Sequence, residues 1–324
     1  MATQVLQSNT STTLAMHVKV IIPTLNAAND WPLFAPALLA CVQPEQVLIL
    51  DSESSDRTVD LARAAGFQLC SVERAKFNHG GTRQAAAEML DDADILVYMT
   101  QDAVFAGRKS LSNLLAPFND PRIGAVCGRQ LARPGAQAIE THARTFNYPA
   151  TSDVRSLASR KKLGIKTVFM SNSFAAYRRS ALMSVGGFPA HVIFGEDSVT
   201  AARLLLAGYH IAYVADACVY HSHAYSPMQE FKRYFDIGVL HSRERWLLEE
   251  FGQANGEGRR FVVSELRYLW QRCPLQIPSA LLRTGMKLLG YRLGRVESQL
   301  APAIKRQLSM HPRFWAKPIL NNRA

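Results

Sequence analysis

The sequence predicts an α/β protein, with a doubly wound, mostly parallel sheet followed by a helical C-terminal region. Three observations predict it. Short β-branched or apolar runs alternate with helix-length segments through the first third of the chain. The main runs close on proline or a polar residue, as buried strands do when they reach loops. From Met228 onward strand signals give way to helical patterning.

Val18 to Ile22 is the first strand, closed by Pro23, and Gln46 to Leu50 the second, closed by Asp51. Trp31 to Ala40 between them has the length and composition of a crossover helix, and Arg57 to Ala65 repeats that role after the second strand. Gln68 to Val72 reads as a third strand, Arg83 to Leu90 as a helix, and Ile95 to Met99 as a strongly apolar strand ending in Thr100, Gln101 and Asp102. Beyond Pro121, Ile123 to Cys127 reads as a strand, Ile139 to Phe146 as a helix, and Ser156 to Lys166 as a basic, mobile loop suited to a lid. Ala175 to Val185 reads as a helix stopped by Gly186 and Gly187, Ser198 to Ala207 as a helix stopped by Gly208, and Ile211 to Val214 as a strand. Three units follow: a loose tail over 1–16, a ligand-binding catalytic domain over 17–225, and a basic helical region over 226–324.

At 324 residues and 48% hydrophobic content the chain can bury a full α/β core with an appended subdomain. Its five cysteines are scattered and never spaced as CxxC, which argues against a disulfide framework or a cysteine zinc site and for a reducing compartment. Met1 to Met16 lacks the basic start and apolar run of a signal peptide, and no stretch is apolar enough for a membrane span. The charge is uneven. From Asn255 to Ala324, thirteen Lys or Arg stand against Glu257, Glu265 and Glu297, so +10 of the formal +11 lies there. An anionic membrane surface suits such a region, whose apolar residues are interleaved at helical spacing. No nucleic-acid recognition motif accompanies it.

In open α/β sheets ligands bind outside the carboxyl ends of strands, where Pro23, Asp51 and Asp102 fall. Asp51 to Thr58 offers a carboxylate suited to a pyrimidine imide N–H, followed by hydroxyls at a helix start that suit phosphate or ribose. In Phe77 to Arg83, Gly80 and Gly81 allow backbone to approach a ligand and Arg83 can fork onto a diphosphate. Asp102 can hold a divalent cation, helped by His221 or His223, which share a face if Val219 to His223 is extended. Imidazole with carboxylate favours Mn²⁺ more than an all-oxygen set would. In Gly195-Glu196-Asp197, one carboxylate can remove a proton from an acceptor hydroxyl while its neighbour binds the acceptor or tunes that pKa. Each segment also has an ordinary structural reading: a helix cap, a glycine turn, packed imidazoles, an acidic pair on a helix dipole.

In order, Ile21 to Thr24, Asp51 to Thr58, Phe77 to Arg83, Thr100 to Asp102, Gly186 to Phe188, Gly195 to Asp197 and Val219 to His223 resemble the inverting glycosyltransferases of family 2. The Phe-Asn-His-Gly-Gly-Thr-Arg run, Gln101-Asp102 and Tyr-His-Ser-His look like the bacterial rhamnosyltransferases that build cell-surface polysaccharide, and Phe231 to Gly238 extends the likeness. The resemblance implies a GT-A type nucleotide-diphospho-sugar transferase sheet. It implies that Pro23, Thr24 and Asp51 hold the nucleoside, that Asn78, Gly80, Gly81, Arg83 and Gln101 contribute to donor binding, and that Asp102 with His221 or His223 binds Mg²⁺ or Mn²⁺. Asp197 becomes the general base, with Glu196 on the acceptor or tuning the base. The family's second loop usually carries glycine where this chain has Glu53, and a small residue at Arg57. The first carboxylate of its DXD motif is replaced by Thr100.

The implied donor is dTDP-L-rhamnose, or a UDP-linked galactofuranose, glucose or N-acetylhexosamine. The implied acceptor is a lipid-linked or growing glycan, reached from the cytoplasmic face of the inner membrane with the basic helices lying peripherally on the bilayer; a homo-oligomer is compatible. The loss of one DXD carboxylate also admits a non-catalytic nucleotide-sugar or membrane-binding module.

Overall fold

The computed structural model describes residues 16–253 and 256–316. The N-terminal tail lies outside the described residues except for Met16, whose side chain packs against the core. The chain opens with β1 (Val18–Thr24), α1 (Trp31–Leu39), β2 (Val47–Asp51), α2 (Thr58–Ala64), β3 (Gln68–Ser71), α3 (His79–Met89) and β4 (Ile95–Met99). The alternation read from the sequence is present, with α3 starting earlier. Asn78 caps α3 by accepting from Gly81 N at 2.8 Å, which recruits the glycines into the first turn.

The second half runs β5 (Val104–Phe105), α4 (Ser110–Leu115), β6 (Ile123–Leu131), α5 (Ala138–Asn147), β7 (Asp153–Arg155), α6 (Arg160–Leu163), β8 (Phe174–Arg178), α7 (Arg179–Ser184), α8 (Glu196–Leu206) and β9 (His210–Tyr220). The sheet order is β3-β2-β1-β4-β8-β6-β9-β5, with β7 on β9. Strands β3, β2, β1 and β4 are mutually parallel, as are β6 and β9, while β8 is inserted antiparallel between β4 and β6. Strands β5 and β7 also pair antiparallel to β9. The sheet separates two apolar clusters. One contains Leu50, Tyr98, Tyr177, Phe188 and Leu204; the other contains Ile22, Phe34, Val97, Leu114 and Val219.

Two expectations are corrected here. Ala175 to Val185 is not one helix: its first part is β8, buried on both faces, and only the short α7 follows. Phe174, Ala175, Ala176 and Tyr177 are all solvent-excluded, so the polar/apolar alternation that betrays a strand is missing. Nor is the segment from Ser156 to Lys166 a free loop. The buried Arg155 donates to the carbonyls of Lys166, Thr167 and Phe169, Arg160 pairs with Glu250, and Lys166 pairs with Glu257.

The C-terminal helices are α9 (Pro227–Arg243), α10 (Arg245–Phe251), α11 (Glu257–Arg272), α12 (Ile277–Arg295) and α13 (Pro302–Leu308). Leu240, Leu247 and Phe251 join the same buried cluster as the sheet, so packing continues across the boundary at residue 225. Helices α9 and α12 cross at backbone distance. A Cβ on Gly238, Gly290 or Gly294 would fall 2.3, 2.3 or 2.1 Å from the carbonyl oxygen of Tyr291, Phe231 or Phe235. No described helix is long and apolar enough to cross a membrane.

Candidate active site

The parallel strands bring their carboxyl ends together, and the loops there are laced to one another. Thr24 and Asp51 stand in register at the ends of β1 and β2, and Thr24 Oγ1 donates to Asp51 Oδ1 at 3.0 Å. Ser54 donates to the same carboxylate through its N–H at 2.9 Å and its hydroxyl at 2.6 Å. Gln101 clamps the loop after β1, accepting from Leu25 N at 2.7 Å and donating to Leu25 O at 3.2 Å. Glu53, where the family usually has glycine, adopts φ 58°, a left-handed conformation costing on the order of 1 kcal/mol for a residue with a Cβ.

A cavity of about 1350 Å³ opens between these strand ends and helices α5, α9, α11 and α12. Asp102, His221, His223, Glu196, Asp197 and Arg83 all line it. Pro23, Thr24, Asp51, Asn78, Gly80, Gly81 and Gln101 do not line it.

On one side of the cavity, His221 Nε2 and His223 Nε2 lie 3.4 and 3.5 Å from Asp102 Oδ2. The three residues offer ligand atoms within 4.8 Å of one another. Gln130 Oε1 accepts from Arg144 Nη1 at 2.7 Å and contacts His221 Nδ1 at 2.8 Å. Since arginine only donates, that Gln130 atom is an acceptor and His221 Nδ1 carries the proton. Burial lowers the pKa of His221, while the hydrogen bond and charge of Asp102 work to raise it. Burial works to raise Asp102, but hydrogen bonding and charge from His221, then His223, hold it well below the usual carboxylate range. Ligands each about 2.1 Å from one ion lie 3 to 4 Å apart, as each imidazole nitrogen does from Asp102 Oδ2. The donor set fits a divalent cation, with Gln130 and Arg144 as the outer contacts that fix the imidazole.

On the other side, Gly195 takes φ 79° and turns the chain into α8, placing Glu196 and Asp197 in its first turn. Glu196 is buried and held by Arg83 Nη1 at 2.7 Å and Asn172 Nδ2 at 3.0 Å. Tyr98 and Tyr177 hold these partners from the core, through Arg83 O at 3.0 Å and Asn172 Oδ1 at 2.8 Å. Asp197 is half-buried and accepts from Ser198 N at 2.7 Å and Asn172 N at 3.2 Å. Burial, then the negative charge of Glu196, raises its pKa to about 7.

Three sequence readings change. Arg83 is not free to fork onto a diphosphate, because its guanidinium is buried against Glu196 and the carbonyl of His79. Gly80 serves packing: a Cβ there would sit 1.9 Å from Pro189 O. Asn78 is occupied as the α3 cap. The sequence reading missed Asn172, Gln130 and Arg144, which lie in no motif and acquire their roles only when β6, α5, the loop before β8 and α8 assemble.

Residues 19–186 match the sequence signature described as Glycosyl transferase family 2. The chain belongs to glycosyl transferase family 2. This family-2 glycosyltransferase is 46% identical over 302 residues to the O-antigen chain rhamnosyltransferase RfbN of Salmonella typhimurium, covering 93% of this chain and 96% of that one. It is 46% identical over 300 residues to the O-antigen chain rhamnosyltransferase WbaN of Salmonella anatum, covering 91% and 95%. Among solved structures, its fold resembles that of the mannosyltransferase PcManGT of Pyrobaculum calidifontis, whose structure holds GDP-Man and Mn²⁺. That match has a TM-score of 0.57 and 20% identity, covering 91% of this chain and 86% of that one. The family-2 glycosyltransferase therefore has the GT-A type sheet expected from its motifs, extended by a helical C-terminal region.

Proposed function

We propose that this glycosyltransferase moves L-rhamnose from dTDP-L-rhamnose, with inversion, to a hydroxyl of an O-antigen-type glycan that is lipid-linked or growing. The observation that carries the reaction type is the sharing of one cavity by two opposed groups: Asp197, with its pKa raised to about 7, and the Asp102, His221 and His223 cluster. Identity to two O-antigen chain rhamnosyltransferases along nearly the whole chain supports the choice of sugar and glycan.

Asp197 is the general base. A carboxylate with its pKa near neutrality is ionised in a useful fraction and still binds a proton strongly enough to accept it from a hydroxyl. The acceptor oxygen attacks the anomeric carbon as the bond from that carbon to the diphosphate breaks. The bond's electron pair leaves with the nucleoside diphosphate, and the acceptor proton passes to Asp197. Glu196 raises the basicity of Asp197 by like charge, while Arg83 keeps Glu196 ionised. Asp102 and the two histidines would hold Mn²⁺ or Mg²⁺, which when bound neutralises charge on the departing diphosphate. Pro23, Thr24, Asp51 and Gln101 stand at the strand ends outside the cavity's lining and would take the nucleoside there.

The basic helical region is proposed to rest on the cytoplasmic face of the inner membrane. Trp270, Leu275, Leu281, Leu282, Leu288 and Leu289 are exposed on and between α11 and α12, among the arginines of the same helices.

The test is transfer from dTDP-L-rhamnose and from UDP-sugars to a lipid-linked acceptor, with the new linkage read by NMR. Transfer from dTDP-L-rhamnose with inversion at the anomeric carbon is expected. Transfer from a UDP-sugar alone would overturn the donor, and retention of configuration would overturn the mechanism.

A further inference from the structure

With Arg83 tied to Glu196, the cavity needs another cation for a diphosphate. Six basic side chains line it. Arg83, Arg283 and Lys287 lie on carboxylates, the last two on Glu230, and Arg144 is engaged by Gln130. Arg259 lies in the first turn of α11 and, among the described residues, has no aromatic contact joining it to the cluster or the base. The remaining one is Arg233 of α9.

Among the described residues no carboxylate pairs with Arg233, which is exposed to the cavity. Two aromatic rings hold its guanidinium, with the central carbon 5.7 Å from the Phe194 ring centre and 5.9 Å from that of Tyr225. Tyr225 in turn stacks on His223 at 5.0 Å, and Phe194 immediately precedes Gly195-Glu196-Asp197. A continuous wall thus runs from the cation cluster to the base, with one unpaired, pre-oriented guanidinium at its midpoint. Contact with two aromatic rings restrains the guanidinium, and among the described residues no carboxylate claims it, a setting that suits phosphate recognition.

We infer that Arg233 binds the diphosphate of the nucleotide donor, between the cation cluster and the base, with Phe194 and Tyr225 as its positioning residues. The inference rests on the reading of the cavity as a nucleotide-sugar site. It makes Arg233 the group that receives negative charge on the leaving diphosphate as the glycosidic bond breaks.

The test compares wild type with R233A, titrated with dTDP and UDP in Mn²⁺ by calorimetry, and with thymidine and uridine by saturation-transfer NMR. R233A is expected to weaken the favoured diphosphate about 10- to 100-fold, the range for a charge-assisted pair, and to leave the matching nucleoside unchanged. R233K, which keeps the charge but not the fork, should fall between them, and it carries the comparison if the alanine variant is unstable to heat. Unchanged diphosphate affinity in R233A and R233K overturns the inference. If their KM for a lipid-diphosphate acceptor rises instead, the arginine belongs to the acceptor. A wild-type protein that binds neither nucleotide overturns the reading of the cavity itself, a distinct result.

Discussion

Arg83 on α3 and Glu196 at the start of α8 form a buried ion pair, Nη1 to Oε1 2.7 Å, that joins segments 113 residues apart in the chain. Replacing Arg83 with alanine leaves Glu196 buried without its cation, a change that typically costs about 3–5 kcal/mol. R83A is therefore expected to lower the melting temperature sharply, yet to bind nucleotide normally at temperatures where it stays folded. Calorimetry of folding and of dTDP or UDP binding on the same preparation separates the two. A stable R83A with lost diphosphate affinity would return Arg83 to the ligand.

D197N should abolish transfer, with a loss on the order of 10²–10⁴-fold or more, while nucleotide binding persists. Since the base acts deprotonated and its pKa is raised to about 7, activity should fall as pH drops below neutrality. Glu196 contributes to that rise, so in E196Q the acid limb of the kcat/KM profile should move to lower pH. An unmoved limb would detach Glu196 from the tuning of the base.

Chelation should weaken diphosphate binding and transfer together, and Mn²⁺ should restore both. D102N or H221A should raise the Mn²⁺ concentration needed for half-maximal binding by more than the roughly 10- to 100-fold that loss of an outer contact costs. Q130L, which removes the partner of His221 Nδ1, should do the same more mildly, within the 10–100-fold range of outer contacts. Full activity in the presence of chelator would show that the cluster acts without an ion.

Adjacent glycines in α3 should respond unequally. Gly80→Ala drives a Cβ to 1.9 Å from Pro189 O and requires backbone movement, whereas Gly81→Ala meets the side chains of Ala190 at 3.3 Å and Asn78 at 3.4 Å. The first should cost at least about 2 kcal/mol and the second little, measured by urea denaturation. Equal and small effects, with lost nucleotide binding in both, would place the glycines on the ligand.

Asp236 of α9 is buried and accepts from Met310 N at 2.9 Å, and burial raises its pKa to about 7. Its unfolded value is about 3.9. Between these values the native state binds more protons, so stability should fall as pH rises from about 4 to 7. D236N should flatten that dependence and be the more stable form at pH 8. An unaltered melting-temperature profile would contradict the assignment.

The strands β1, β2 and β4 were legible because each is a short apolar run that meets a proline or a polar residue at its end. Strand β8 was not. Its Phe-Ala-Ala-Tyr run is solvent-excluded on both sides, and alanines followed by Arg-Arg-Ser-Ala-Leu satisfy a helical pattern as readily. His221 and His223 could be paired because residues two apart in an extended segment share a face, and the family resemblance joined Asp102 to them. Arg83 could not be placed, since its partner is more than a hundred residues distant and a motif does not say which charge a guanidinium will meet. Arg233 had no signal beyond its motif, because its significance is that Arg83, Arg144, Arg283 and Lys287 are engaged by other groups and that it lies between Phe194 and Tyr225.

Glycines let α9 and α12 meet backbone to backbone, and that contact has a mechanical meaning. Side chains between helices act as bearings: they change rotamer and let one helix slide on another. Here Gly238, Gly290 and Gly294 leave almost no such layer, so the pair resists shear. Arg233 on α9 and Lys287 on α12, which both line the cavity, are consequently held at a fixed spacing from one another.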